Sequence, residues 1–296
     1  MPRHRTRRHR RVKSKRKQKR SRRTRNSYYK GGGLSSPTKV FHFYNRFHLG
    51  DNILNLKFFF NISDIMKLNG ITIYYYYDDS YKNNKRGELE RFVNKDTLNL
   101  CSIKDKPADA IELWMGNPID GYDYLVLDTF FDAFYKKILK TIGLEGKNIS
   151  TSLYQPEPYL QDIYNNLDDK YKNLDILVIN AEPQSGQFQY DKESFNNMCI
   201  SLHKKYNIAT TSPVNDDIKC TMKDNLMLKD IGAISTHVKY ILGVHSGPVT
   251  ACFNSDTNNN VKKWILFVSN NTRHADPKFV ILNNTYETSK IENYLK

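Results

Sequence analysis

The chain has 296 residues, with 46 Lys and Arg against 31 Asp and Glu, a formal charge of +15 and a hydrophobic fraction of 39%; that length is enough for two domains of ordinary size. No stretch supplies the roughly 18 apolar residues of a transmembrane helix and the amino terminus lacks an apolar signal core, so neither a membrane span nor secretion is expected. The four scattered cysteines, Cys101, Cys199, Cys220 and Cys252, form no CxxC pair, which points to reduced thiols and away from a structural zinc site.

The first 30 residues hold 16 Lys and Arg and no acid, so the rest of the chain carries 30 basic and 31 acidic residues and is near neutral. Such a run cannot bury apolar surface, and "GGGLSSP" after it reads as a flexible linker, so residues 1–36 are expected to be a disordered basic tail. Its charge suits nucleic acid or another polyanion through counterion release, as a nuclear address or a virion-packing arm. The alternative is a solubility tail without a specific partner.

From Lys39 onward, apolar aromatic runs alternate with amphipathic segments. The pattern predicts a strand over 39–45, a helix over 51–69 and a strand over 71–77, then a strand over 110–116 and a strand or helix followed by a helix over 123–144. A polar helix over 159–173 reads as a bridge. Beyond it the alternation restarts: strand 174–181, helix 191–206, strand from 207, helix 228–238, strand 239–245, a short helix from 249, strand 262–268 and a last strand over 279–284. Strand, helix, strand with short connections is the mark of parallel sheets. The expected architecture is α/β, with two Rossmann-like domains (37–158 and 174–296) facing each other across a cleft and the 159–173 helix between them. Ligands of open parallel sheets bind outside the carboxyl ends of the strands, so that cleft is the expected site.

Three turns lie at such strand ends: "FHLGD" (47–51), "EPQSGQ" (182–187) and "HSGP" (245–248). In the second and third, Ser185, Gly186 and Gln187, and His245, Ser246, Gly247 and Pro248, stand just before helices, where exposed N–H groups suit a pyrophosphate. "FHLGD" instead brings Asp51, with His48 and Gly50 beside it. Asp51 is either an N-cap or, facing the phosphate turns, a general base for a hydroxyl. His42 in the first strand reads as a satisfied core residue. Asp78 and Asp79 lack the Asp-x-Asp spacing of a metal-dependent sugar transferase and read as a polar strand end; neither a metal nor a cofactor is called for.

These residues resemble the family 9 glycosyltransferases, the heptosyltransferase-like enzymes of the two-domain GT-B fold. Gly50, Asp51, Ile53 and Leu54 look like that family's Gly-Asp turn, whose Asp is the proposed base. The stretch from 176 is similar to its phosphate-side strand, turn and helix, and "HSGPVTA" to its D-S/T-G-P-x-H-x-A turn, with Ser246, Gly247 and Pro248 kept. The family's Asp is His245 here and its His falls at Thr250; its Lys-rich segment is reduced to Lys192. The resemblance implies a metal-independent inverting glycosyltransferase that takes a nucleotide-sugar donor and a hydroxyl acceptor, a glycan or glycoprotein. The altered second turn keeps open a glycosyltransferase-like binding protein without turnover, docked through its tail. A nucleic-acid-processing enzyme would rest on the tail alone, since the near-neutral body lacks a basic, aromatic stripe. A body rich in Asn, Lys, Ile and Tyr behind a basic amino terminus is similar in composition to proteins of large DNA viruses. The expected location is the cytoplasm or nucleus of a host cell, or the virion.

Overall fold

The computed structural model describes residues 38–80, 86–114, 116, 119–123, 125–183, 190–268, 272–282 and 286–296. The basic tail, and Ser185, Gly186 and Gln187 of the second turn, lie outside them. Residues 37–296 form one compact unit.

The chain enters β1 (Lys39–Asn45), whose seven residues pair in parallel register with all of β2 (Ile71–Tyr77). Between them run α1 (Leu49–Asn61) and α2 (Ser63–Leu68), so the single helix expected over 51–69 is two, broken at Ile62. Two short elements follow: α3 (Arg86–Glu90) and β3 (Leu98–Ser102), the latter a parallel neighbour of β2. The strand expected over 110–116 is reduced to β4 (Ile111–Glu112), parallel to β1. The segment from 123 forms no strand among the described residues and leads into α4 (Leu127–Thr141). The first sheet thus has the order β3-β2-β1-β4.

The expected bridge is also interrupted. It is α5 (Leu160–Asn165) followed by a 3-10 turn, Asp169–Tyr171, and it ends at Asn173, whose φ of 60° places it in the left-handed region that Asn tolerates better than most residues. The second sheet is built from β5 (Ile176–Ile179), β6 (Ile208–Thr210), β7 (Lys219–Cys220), β8 (Tyr240–Val244), β9 (Lys263–Phe267) and β10 (Phe279–Leu282), in the order β10-β9-β8-β5-β6-β7, all pairs parallel. Around these strands run α6 (Lys192–His203), α7 (Leu228–Ser235), α8 (Ser255–Asn260) and α9 (Thr288–Glu292).

Alternation sorts the second sheet's side chains. Leu177, Ile179, Ile241, Trp264 and Leu266 join one buried cluster, whereas Ile176, Val178, Leu242, Val244 and Ile265 join another on the opposite face with Phe195, Met198 and Leu202 of α6. The first cluster also holds Phe43, Ile73 and Tyr75 of the first sheet and Ile53, Leu54, Leu56, Phe58 and Phe59 of α1. One core therefore runs continuously between the sheets. Each fully buried Leu, Ile or Phe in it contributes roughly 1.5–3 kcal/mol of gross burial.

Strand order fixes where a ligand can sit. In the first sheet the chain steps from β1 to β2 to β3 and then returns to the far side of β1 with β4; in the second it steps from β5 to β6 to β7 and then crosses to β8 beside β5. Such reversals open a crevice at the carboxyl ends of the flanking strands. The Gly-Asp turn follows β1 at the first reversal, and the turn over 245–248 follows β8 at the second.

Candidate functional site

The turn after β1 is held by a buried amide and phenol network. Asn45 Nδ2 donates to Leu113 O at 2.7 Å, while Asn45 Oδ1 accepts from Phe47 N at 2.8 Å. Asn52 Nδ2 donates to Phe47 O and His48 O, and Asn52 Oδ1 accepts from the Tyr75 hydroxyl at 3.0 Å. Asn55 Nδ2 reaches both Leu113 O and Tyr75 Oη. Asn45, Asn52, Asn55 and Tyr75 are all fully buried, where such a polar network favours one geometry; within it Asn55 Oδ1 has no hydrogen-bond partner.

This network places Asp51 in the first turn of α1, two residues inside it. The N-cap is His48, with extended backbone and no side-chain cap bond, so the N-cap reading of Asp51 is corrected: the helix begins earlier than the apolar run suggested. Asp51 keeps some exposed surface, yet burial pushes its carboxyl up from 3.8 to about 7. A carboxylate poised there exchanges protons near neutrality.

Gly50 brings the second turn against the first. A Cβ at this position would lie 3.1 Å from Thr250 Cγ2, 3.2 Å from Gly247 Cα and 3.3 Å from Gly247 O. A side chain would have to displace that backbone, so glycine permits the approach. Two helical turns on, Lys57 continues the same face; its ammonium donates to Phe253 O at 3.1 Å and forms a fully buried ion pair with Glu157, which also accepts from the Tyr159 hydroxyl. Thus α1 is fastened at Gly50 and Lys57 to the two ends of the 3-10 turn Gly247–Cys252.

In the 245–248 turn, Ser246 is the cap of the 3-10 turn, Gly247 is exposed and Pro248 stands in its first positions. The Gly247 N–H, first in the turn, has no acceptor within it. Ser246 Oγ is buried without a hydrogen-bond partner. Thr250 is committed: its hydroxyl donates to Gly247 O at 2.6 Å and its methyl packs on Gly50. His245 is held neutral, its pKa lowered to about 3 by burial and then by the neighbouring His274. Burial thus disfavours a protonated His245. Lys192 is exposed at the first position of α6.

The other sequence candidates fall away from this junction. His42 Nδ1 lies 2.9 Å from the Tyr76 hydroxyl, a satisfied sheet residue. Asp78 accepts from Ser80 N and Oγ, which closes a turn at the end of β2.

Sequence reasoning missed a cluster centred on Asp128, at the start of α4. Its Oδ2 accepts from Ala275 N at 2.6 Å, and its Oδ1 accepts from Tyr154 Oη at 2.7 Å and lies 3.5 Å from His274 Nδ1. Burial raises the Asp128 pKa, but these bonds outweigh it and hold the carboxyl below its ordinary value. The His274 ring is fully buried, stacked on Phe279 at 3.8 Å and centred 6.0 Å from the ring of His245. Nothing in the spacing of Asp128, Tyr154 and His274 advertises this meeting.

No helix among the described residues is long and apolar enough to cross a membrane. No family model matches the chain, and no curated protein matches it. Among solved structures it is similar to the E. coli heptosyltransferase WaaC with ADP-2-deoxy-2-fluoro heptose, at 9% identity and a TM-score of 0.47, over 86% of this chain and 99% of that one. It is also similar to the iron-containing dodecameric glycosyltransferase TibC from enterotoxigenic E. coli H10407, at 11% identity and a TM-score of 0.42, over 86% and 66% of the two chains. TibC in complex with ADP-D-beta-D-heptose gives 11% and 0.42 over 88% and 70%. These likenesses assign no chemistry to individual residues.

Proposed function

We propose that the chain is a metal-independent, inverting glycosyltransferase that moves a sugar from a nucleotide-sugar donor to a hydroxyl of an acceptor glycan or glycoprotein. The observation that carries this reading is the contact of Gly50 with Gly247 and Thr250. It sets Asp51, whose pKa is about 7, one residue from the Ser-Gly-Pro turn, with each turn at a reversal of strand order. The family 9 resemblance of the two turns points the same way.

In this mechanism the diphosphate lies on the Gly247 N–H and, as the family resemblance implies, on Ser185, Gly186 and Gln187, which come after β5 in the sequence, with Lys192 close by in the chain. Asp51 takes the proton of the acceptor hydroxyl. The oxygen attacks the anomeric carbon as the bond from that carbon to the diphosphate oxygen breaks, and the nucleoside diphosphate leaves with the bonding electrons. N–H groups directed at the departing oxygens stabilise the charge that develops there. Gly50 and Thr250 serve by close packing, and His48 stands at the start of the helix that carries the base.

The test is Asp51→Asn against a panel of donors that includes ADP-heptose, the ligand of the TibC complex. Donor affinity is expected to persist while transfer falls by about 10²–10⁴-fold, the usual contribution of a general base. Equal transfer by wild type and variant would sink the assignment. A second reading, a binding protein without turnover whose basic tail docks onto nucleic acid, draws on Thr250 and His245 standing where the family has His and Asp. Donor binding without transfer by the wild type would favour it.

A further inference from the structure

Three neighbouring strands of the first sheet, β2, β1 and β4, each lead into a segment that is bonded to the second-sheet side. After β1, Gly50 lies against Gly247 and the Lys57 ammonium donates to Phe253 O. After β2, Glu88 of α3 accepts at Oε1 from Leu228 N at 2.7 Å, and Leu228 is the first residue of α7. After β4, Arg273 N donates to Leu125 O at 2.7 Å and Leu127 N donates to Arg273 O at 3.1 Å, beside the bond from Ala275 N to Asp128.

The charged members of the first two seams are out of water. The Lys57 side chain is wholly buried and that of Glu88 is 3% exposed, with Arg91 Nη1 3.6 Å from its second oxygen. The first N–H of a helix has no acceptor within it, so α7 takes a cap from across the junction. Apolar packing follows the same line. Leu89 and Phe92, close to Glu88 in the chain, join one buried cluster with Ile231 and Ile234 of α7 and Val249, Ala251 and Phe253 at the 3-10 turn. Swinging one sheet away from the other would leave a buried ammonium and a buried carboxylate each short of a partner, and would open that cluster to water. Relative motion of two domains is the default only where the interface between them is small or polar.

We propose that these three seams are a latch that holds the cleft between the sheets at one width, so that ligands enter and leave it without hinge opening. Glu88 and Lys57 are its polar members. The latch does not depend on what the cleft takes.

The experiment is a spin-label distance measured by double electron–electron resonance in the full chain. Lys140→Cys in α4 and Asn197→Cys in α6, both exposed positions, carry the labels, in a Cys101→Ser background whose other three cysteines are buried. A single distance population is expected in the free protein, moving by less than about 2 Å when UDP-glucose, ADP-glucose or GDP-mannose is added in excess. Two populations in the free protein, or a larger shift with any of the three compounds, overturns the proposal. Glu88→Ala removes the cap from α7 and should add a second, longer distance population; an unchanged distribution in that variant overturns the latch as well. If circular dichroism shows Glu88→Ala unfolded, Lys57→Met with Glu157→Leu, which deletes the bond to Phe253 O and removes both charges of that pair, takes its place and is judged by the same outcomes. Should calorimetry show that none of the three compounds binds, the donor reading falls, while the free protein and its variant still decide the latch.

Discussion

Asp51→Asn should make the protein more stable above neutral pH and nearly unchanged near pH 4. The wild-type carboxyl is raised from 3.8 to about 7 in the folded state by burial. Between these values the folded protein binds a proton that the unfolded chain has released, so this contribution to stability is fully present below about 4 and is lost as pH rises through about 7. The difference between the two protonation states is about 4 kcal/mol at 1.36 kcal/mol per pK unit. Because Asp51 keeps some exposed surface, solvent relaxation should reduce this to roughly 2 kcal/mol. Asn mimics the protonated acid and titrates nowhere in this range. For a folded unit of this size, 2 kcal/mol corresponds to about 4–8 °C in Tm. Scanning calorimetry of both proteins from pH 4 to pH 8 should therefore show the variant's Tm pulling ahead as pH rises, most steeply between 5 and 7. A Tm difference that stays flat over this range would refute the claim that Asp51 sits in a desolvated position, and would weaken its claim to be a base.

If Asp51 is the base, log kcat/KM should rise with unit slope below about pH 7 and level off above it, measured with saturating acceptor; a profile flat from pH 5 to pH 8 would count against the assignment. Gly50→Ala should destabilise by about 1–3 kcal/mol in urea unfolding, since the added methyl meets Gly247 backbone at 3.2–3.3 Å, and should depress transfer more than donor binding. Glu157→Gln should cost about 3–5 kcal/mol by leaving the Lys57 ammonium buried beside a neutral amide, whereas Lys57→Met with Glu157→Leu should recover much of that; both are read from denaturant midpoints. Tyr75→Phe should cost about 1–3 kcal/mol, because Asn52 Oδ1 loses its donor in a fully buried setting, which chemical denaturation can measure.

The sequence was most legible where period and burial agree. Lys39–Asn45 and Ile71–Tyr77 are β-rich runs bounded by turn residues, and their observed limits match the expected ones. Leu98–Ser102 was missed because "LNLCS" is short and half polar; pairing with β2 makes it a strand, and local propensity does not. The 110–116 run shrinks to Ile111 and Glu112, which pair with Phe43 and Tyr44 of β1. At the site, the Gly-Asp and Ser-Gly-Pro turns could be named from their residues, but their contact depends on the packing of α1, which no spacing encodes. A clue lay unused in "DNILN": two amides three residues apart on the buried face of a helix had to satisfy something there, and they pin the Gly-Asp turn. The charge of His245 could not be read from its neighbours in the chain, since burial and His274, 29 positions away, decide it.

Helix α1 is buried along almost its whole length, from Gly50 through Phe59 with Asp51 the exception. It is chained to one sheet and clasped by the other, which makes it common property of both halves. A chain severed after residue 158 would leave the first fragment with the Lys57 ammonium still beside Glu157 but without the Phe253 carbonyl, and with Gly50 facing water where Gly247 had been. The pieces should thus prove mutually dependent: insoluble when made apart, recovered when made together, and melting as one.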